Sequence, residues 1–202
     1  MLTSLPNMLT YSRIVVIPLL IATFYFPSHT ARWVACILFC LAAITDFFDG
    51  YLARRSNQTS NLGRFLDPIA DKLLVGATLF MLVGFNQVNS WTFIPAVIIL
   101  LREILVSGLR EFLAEVQVSM PVSRLAKWKT AIQMIALPLL LIGDALPALP
   151  NQEIGETFLW LAAALTLVTG YDYLRAGLDH IRSMPVKPAA TPATGEKNDT
   201  TP

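Results

Sequence analysis

Apolar residues fall into long runs along most of the chain, separated by short polar segments. Each run is about long enough to cross a hydrocarbon core of about 30 Å as a helix rising 1.5 Å per residue. Six such runs occupy, approximately, residues 8–26, 32–52, 71–85, 91–113, 128–146 and 154–174. The pattern predicts an all-α integral membrane protein built as a bundle of six transmembrane helices. Pro18, Pro95 and Pro138 lie inside the runs, which neighbouring helices in a bundle tolerate.

Basic residues are unevenly divided between the two sides of the predicted membrane. If odd-numbered loops lie outside, they carry one basic residue, Arg32. The positive-inside rule then places both termini in the cytoplasm. We therefore expect residues 1–183 to form a six-helix domain in the inner or cytoplasmic membrane. Residues 184–202 are rich in Pro, Ala, Thr and Lys and are expected to form a disordered cytoplasmic tail.

Composition narrows the class of protein further. Of 202 residues, 54% are hydrophobic and 14% are charged, so a lone soluble domain is excluded. The net charge of +1 gives no electrostatic basis for binding nucleic acid. The two cysteines, Cys36 and Cys40, share one apolar run, which excludes a disulfide-stapled scaffold and a four-cysteine zinc site.

Four aspartates stand where a membrane protein rarely carries charge. Asp46 and Asp49 are spaced i, i+3 at the end of the second run, and Asp67 and Asp71 are spaced i, i+4 at the entrance to the third. Each pair converges on one helix face. An Asp at the centre of a membrane helix costs about 2.5–3.5 kcal/mol, and like charges add to this cost. Oxygen ligands of this kind suit Mg²⁺ or Mn²⁺, so the sequence predicts a divalent-metal site.

Small residues accompany the aspartates at helical spacing. Gly50 and Ala53 follow Asp46 by four and seven residues, and Gly63 precedes Asp67 by four. Small side chains leave room for a bulky ligand to approach the backbone. A nucleotide or a diphosphate beside the metal would fit this pattern.

The aspartates and small residues together form a signature that resembles the CDP-alcohol phosphotransferase family. The spacing is D-x2-D-G-x2-A-R-x8-G-x3-D-x3-D, and it is carried by Asp46, Asp49, Gly50, Ala53, Arg54, Gly63, Asp67 and Asp71. Within the family, the similarity is greatest to members that use glycerol 3-phosphate as the acceptor. That narrower similarity rests on P-N-x2-T-x2-R from Pro6 to Arg13, on the segment from Arg102 to Glu111, and on K-x-K-T-x2-Q from Lys127 to Gln133.

The resemblance implies a reaction and assigns roles to residues. CDP-diacylglycerol would donate its phosphatidyl group to the primary hydroxyl of sn-glycerol 3-phosphate and release CMP, and the protein would be a homodimer among membrane lipids. One or two Mg²⁺ or Mn²⁺ ions would be held by Asp46, Asp49, Asp67 and Asp71, with Asp71 also the general base. The contacts to CDP-diacylglycerol would come from Asn7, Thr10, Gly50, Ala53, Arg54 and Gly63.

A phosphorylated acceptor requires cations, and the fourth and fifth runs supply them. Arg102 lies inside the fourth run, and Arg110 follows about two turns later. An arginine fork binds two phosphate oxygens at once. Lys127 and Lys129 are about 200° apart on a helix, so at most one should face the acceptor. We expect Lys127 to face it and Lys129 to anchor the helix at the interface.

Two other functions fit parts of the pattern. The same chemistry could serve another acceptor, such as inositol phosphate or serine. A small cation transporter could use the four aspartates as its ion site, although transporters commonly place such sites near the membrane midplane. The position of the aspartates at the predicted cytoplasmic end, beside Gly and Arg, favours the transferase.

Overall fold

The structure is a computed structural model that describes the backbone of residues 5–56, 61–116, 118 and 123–183, and the side chains of residues 11–45, 66, 69–116, 118 and 123–182. The described backbone forms six α-helices: α1 Leu5–Thr23, α2 His29–Ser56, α3 Asn61–Gly84, α4 Phe93–Glu115, α5 Arg124–Ile142 and α6 Asn151–Ser183. Short 3₁₀ turns precede α4 at Ser90–Thr92 and follow α5 at Gly143–Ala145. The predicted tail, 184–202, lies outside the described residues.

The helices confirm the all-α prediction, since each apolar run coincides with one of them. Within the described residues, three helical segments are long and apolar enough to cross a membrane: Ser90–Glu115, Arg124–Ala145 and Asn151–Arg182. The apolar parts of α1 and α2, Tyr11–Thr23 and His29–Thr45, are shorter.

Helix α3 begins earlier than the third apolar run predicted. It starts at Asn61, ten residues before the expected limit, so Asp67 and Asp71 lie within the helix rather than at its entrance. The apolar positions Leu62, Leu66 and Ile69 continue the helical spacing through this charged segment. The mean hydropathy of this segment does not reveal the apolar spacing, because Arg64 and Asp67 lower the mean.

The three prolines differ in position. Pro95 is the third residue of α4, in the first turn, where its missing N–H costs no helical hydrogen bond. Pro18 and Pro138 lie inside α1 and α5, where the packed neighbours must compensate for the lost bond.

The core lies between the helices and draws on all six. Helix α5 packs along α6, α1 packs against α2 and α3, α4 packs against α6, and α2 closes the bundle against α5. Fully buried side chains at the centre include Leu20, Phe39, Leu74, Ile99 and Leu140. Large apolar side chains on the outside are exposed, as expected of a surface that contacts lipid, and include Phe80, Leu101 and Ile104.

Polar contacts fix the loops at the end of the bundle where α4 and α6 begin. The Asn89 backbone N–H and side-chain Nδ2 donate to the two carboxylate oxygens of Glu156, at 2.8 and 2.7 Å. Arg32 lies 3.9 Å from Asp144, and Gly143 between them has a φ of +41°, which favours glycine. The opposite end is the one that carries the aspartate signature.

A close approach between α5 and α6 depends on Gly155. A Cβ added there would lie 2.8 Å from Leu140 Cγ and 3.2 Å from the Leu140 backbone N. We expect Gly155→Val to cost about 1–3 kcal/mol, lowering the thermal midpoint in detergent by about 5 °C. Gly108→Ala is the control, because nothing lies within 4 Å of a Cβ at that position. An unchanged midpoint for Gly155→Val would show that α5 and α6 are not in this contact.

Candidate active site

A cavity of about 450 Å³ opens among α3, α4, α5 and α6. Its walls include Asp71 from α3, Arg102 and Arg110 from α4, Lys129 from α5 and Tyr173 from α6. Arg102 and Arg110 are eight residues apart, about 80° round the helix, and both line this cavity. The structure thereby brings the predicted general base together with three of the four predicted acceptor-binding cations.

Glu103 contacts two of the cations in the cavity wall. Its Oε1 accepts a hydrogen bond from Lys129 Nζ and lies 3.9 Å from Arg102 Nη1. The Lys129 side chain is 3% exposed and that of Glu103 is 19% exposed, so both charges are largely removed from solvent. One carboxylate next to two cations leaves a net positive charge at this wall.

Arg102 is held from several directions. Its Nη2 donates to Thr169 Oγ1 at 3.2 Å, and its guanidinium carbon lies 5.8 Å from the centre of the Tyr173 ring. The Thr169 hydroxyl itself donates to the backbone carbonyl of Leu165. These contacts, with Gly170 against the Arg102 stem, fix the guanidinium beside the cavity rather than leaving it free to move.

The expected roles of the two lysines are reversed. Lys127 is exposed and does not line the cavity, whereas Lys129 is buried and does. The interpretation of Lys127 as the cavity-facing lysine and Lys129 as the interfacial anchor is therefore wrong. Helical spacing shows that the two lysines point apart, but only the packing of α5 against α4, which places Glu103 beside Lys129, decides which one faces inward.

Arg110 differs from the other cations in the wall. It is exposed and lies nearer the end of α4, and it has no ion-pair partner among the described side chains. Arg110 is thus a cation whose donors remain available to an anionic ligand.

On the neighbouring helix, the Ser123 side chain caps α5 by accepting a hydrogen bond from the Ala126 backbone N–H, which fixes where α5 begins.

The four aspartates are all helical, two in α2 and two in α3. Asp71 is half-buried in the cavity wall, while the side chains of Asp46, Asp49 and Asp67 lie outside the described residues. No group of three potential metal ligands occurs among the side chains that are described. Four carboxylates at helical spacing are a donor set of the kind that Mg²⁺ and Mn²⁺ accept.

The predicted nucleotide-binding residues also have undescribed side chains. They are Asn7, Thr10, Gly50, Ala53, Arg54 and Gly63. All but Gly63 lie on α1 or α2, and Gly63 lies on α3. Their assignment continues to rest on the sequence signature.

Two buried polar residues in the cavity wall had no role assigned from the sequence. Gln133 is 2% exposed and Tyr173 is 6% exposed, and both line the cavity. Gln133 lies four residues after Lys129, a spacing that could have placed both on one helix face. Tyr173 gives no such signal, because a buried aromatic residue is equally typical of a core.

Comparison with known proteins identifies the family of this chain. The family described as CDP-alcohol phosphatidyltransferase matches residues 3–168. A relative from Rickettsia bellii is 53% identical over 174 residues, which cover 86% of this chain and 94% of the relative. A relative from Cereibacter sphaeroides is 39% identical over 215 residues, covering 89% and 97%. A third, from Pseudomonas fluorescens, is 42% identical over 184 residues, covering 89% and 93%.

All three relatives are named CDP-diacylglycerol–glycerol-3-phosphate 3-phosphatidyltransferase. The match covers five of the six helices completely and most of α6, including the aspartate signature and the cavity residues of α3, α4 and α5. With its apolar helices, this chain is a membrane protein and belongs to the CDP-alcohol phosphatidyltransferase family.

Proposed function

We propose that this protein transfers the phosphatidyl group of CDP-diacylglycerol to the primary hydroxyl of sn-glycerol 3-phosphate, forming phosphatidylglycerophosphate and CMP. One observation supports the acceptor above the others: a single cavity holds Asp71 together with Arg102, Arg110 and Lys129. A carboxylate suits removal of a hydroxyl proton, and a group of cations suits a phosphate dianion. The names of the relatives support the same reaction.

The cations distinguish a phosphorylated acceptor from a neutral one. Arg102 and Lys129 share the charge of Glu103, whereas Arg110 has no described acidic partner. Serine carries no phosphate, and its single carboxylate is balanced by its own ammonium group, so it matches this group of cations less well than a phosphate dianion does. Inositol phosphate also carries a phosphate, so the positive charge of the cavity does not distinguish it from glycerol 3-phosphate.

A divalent cation belongs to this proposal. Asp46, Asp49, Asp67 and Asp71 would hold Mg²⁺ or Mn²⁺, as one ion or two, since their oxygen donors fit such ions. When bound, the metal would neutralise the pyrophosphate of the donor and stabilise the departing CMP.

The reaction then depends on the residues of the cavity. Arg110, Arg102 and Lys129 bind the acceptor phosphate and orient the primary hydroxyl towards Asp71. The Asp71 carboxylate takes the hydroxyl proton as the acceptor oxygen bonds to the phosphorus that carries diacylglycerol. The bond from that phosphorus to the oxygen of CMP breaks, and CMP leaves with the electron pair.

The proposal also covers the contacts to the nucleotide and the orientation of the protein in the membrane. Asn7, Thr10, Gly50, Ala53, Arg54 and Gly63 are the proposed contacts to CDP-diacylglycerol. We place six spans in the inner or cytoplasmic membrane, with both termini and the site on the cytoplasmic side, because basic residues concentrate there. The diacyl chains then stay in the bilayer during transfer. Resemblance to the family also supports a homodimer.

The function is tested by transfer of labelled acceptor to CDP-diacylglycerol by the purified protein in mixed micelles. The assay runs with sn-glycerol 3-phosphate, inositol phosphate and serine, each with Mg²⁺, with Mn²⁺ and with a chelator. We expect metal-dependent product and CMP release with glycerol 3-phosphate alone. Product with a rival acceptor would overturn the acceptor assignment, and release of no CMP with any acceptor would overturn the enzyme assignment.

Arg110→Ala is expected to raise the KM for glycerol 3-phosphate about 10- to 100-fold, because a charged hydrogen bond to phosphate is lost. The kcat should change much less, since the proton acceptor is intact. Initial rates over a range of acceptor concentrations measure both constants. Arg124→Ala is the control: this arginine is also exposed near the same end of the bundle but does not line the cavity. An unchanged acceptor KM for Arg110→Ala would contradict the assignment.

A further inference from the structure

Gln133 is a buried polar residue whose side-chain oxygen has no hydrogen-bond partner. Its side chain is 2% exposed, it lines the cavity, and its Oε1 has no hydrogen-bond partner. Buried side-chain amides in native proteins almost always have partners, so an unpaired amide oxygen in a cavity wall is a candidate contact for a molecule that enters the cavity.

The neighbours of Gln133 on α5 are already satisfied. Lys129, one turn earlier, donates to Glu103. The hydroxyl of Thr130 donates to the backbone carbonyl of Ala126 at 3.1 Å. Thr130, Lys129 and Gln133 share one helix face, at spacings of three and four residues. On this face of α5, Lys129 is assigned to the acceptor phosphate, and the side-chain oxygen of Gln133 is a buried polar atom that still has no partner.

The proposed acceptor carries one polar group that the other cavity residues do not address. Its primary hydroxyl is assigned to Asp71 and its phosphate to the cations. The secondary hydroxyl between them both donates and accepts hydrogen bonds, and so does a side-chain amide. Rotation of the amide by half a turn exchanges its oxygen and nitrogen, so either atom can meet the hydroxyl.

We propose that the side-chain amide of Gln133 hydrogen-bonds the secondary hydroxyl of the acceptor and thereby selects acceptors that carry it. This rests on the proposed function and extends it, because it names which part of the acceptor is recognised. An acceptor without that hydroxyl leaves the amide buried and unpaired in the complex, and a site built around such a group discriminates strongly against that acceptor.

The test compares two acceptors that differ in one oxygen. They are sn-glycerol 3-phosphate and 3-hydroxypropyl phosphate, which keeps the primary hydroxyl and the phosphate and lacks the secondary hydroxyl. We expect the kcat/KM of the wild-type protein to favour glycerol phosphate by about 10- to 100-fold. In Gln133→Met, which preserves volume and removes the hydrogen bond, the ratio should fall to within about threefold.

Two further variants separate recognition from a structural role. Thr130→Val is the matched control, because its hydroxyl is bonded within α5, and it should keep the wild-type ratio. Gln133→Glu keeps a hydrogen-bond acceptor but adds negative charge near the phosphate. It should weaken use of both acceptors while preserving the preference between them. A merely structural role for Gln133 would lower kcat/KM for both acceptors equally.

The outcomes are distinguishable. No transfer to glycerol phosphate by the wild-type protein would overturn the proposed function itself. Transfer with equal use of the two acceptors would leave that function standing and overturn the role of Gln133. A wild-type ratio retained in Gln133→Met would do the same. If Gln133→Met does not fold, the same ratio is measured in Gln133→Leu. Loss of the preference in that variant would support the proposal, and its retention would overturn it.

Discussion

Asp71→Asn should lower kcat about 10³-fold while leaving metal-dependent binding of CDP-diacylglycerol largely intact. Asparagine keeps the shape of the side chain but cannot take a proton, and a general base typically contributes 10²- to 10⁴-fold. The Asp71 carboxylate lies in the same cavity wall as the cations proposed for the acceptor, which is where a proton acceptor is needed. Steady-state rates, together with retention of labelled CDP-diacylglycerol by the immobilised protein, measure the two effects.

Asp172→Asn is the control variant, because it removes a carboxylate that lies outside the cavity. Asp172 is exposed on α6 and does not line the cavity, so its rate should stay within about twofold of wild type. An equal loss of nucleotide binding and turnover in Asp71→Asn would identify Asp71 mainly as a metal ligand. Full activity would remove it from the reaction altogether.

Lys129→Met should be the most destabilising single change at the cavity. The change leaves Glu103 with only Arg102, 3.9 Å away, so the loss should approach the cost of breaking a buried ion pair, about 3–5 kcal/mol. For a chain of this length, that corresponds to a fall of about 10 °C in the thermal midpoint. Thermal unfolding in detergent, followed by circular dichroism, measures it.

The neighbouring lysine provides a matched control. Lys127→Met removes an exposed cation two residues away and should move the midpoint by no more than about 2 °C. The double variant Lys129→Met with Glu103→Gln removes both charges of the pair but also the carboxylate beside Arg102, so it should recover only part of the loss. Equal midpoints for the two single variants would mean that Lys129 is not buried against Glu103.

The order and type of the helices could be predicted from the sequence, because apolar runs of membrane-spanning length leave few alternatives. The residues at which the helices begin and end could not be predicted in the same way. Helix α3 extends ten residues upstream of its apolar run, since Leu62, Leu66 and Ile69 preserve helical spacing where the average hydropathy falls. Hydropathy measures how well a segment suits lipid, whereas helix formation requires only one apolar face.

The chemistry of the site was predictable where residues are fixed by spacing within one helix. The spacing of the aspartates within α2 and within α3 is of this kind, whereas Arg102 and Arg110, about 80° apart on α4, were expected to share a pocket only if the helix bends or a side chain reaches. The orientation of Lys129 depends on Glu103 of another helix, and the orientation of Arg102 depends on Thr169 and Tyr173 of α6. Contacts between helices are set by how the helices rotate about their axes, which one helix's sequence does not determine.

The cavity takes its walls from four consecutive helices, and this bears on the order of biogenesis. A chain released after α5 would contain Asp71, Arg110 and Lys129 but would lack Thr169 and Tyr173, which hold Arg102. It would also lack the α6 surface on which both α4 and α5 pack. We therefore expect a chain that lacks α6 to have an incomplete cavity and to transfer no phosphatidyl group, so that the activity would appear only after the last helix has inserted.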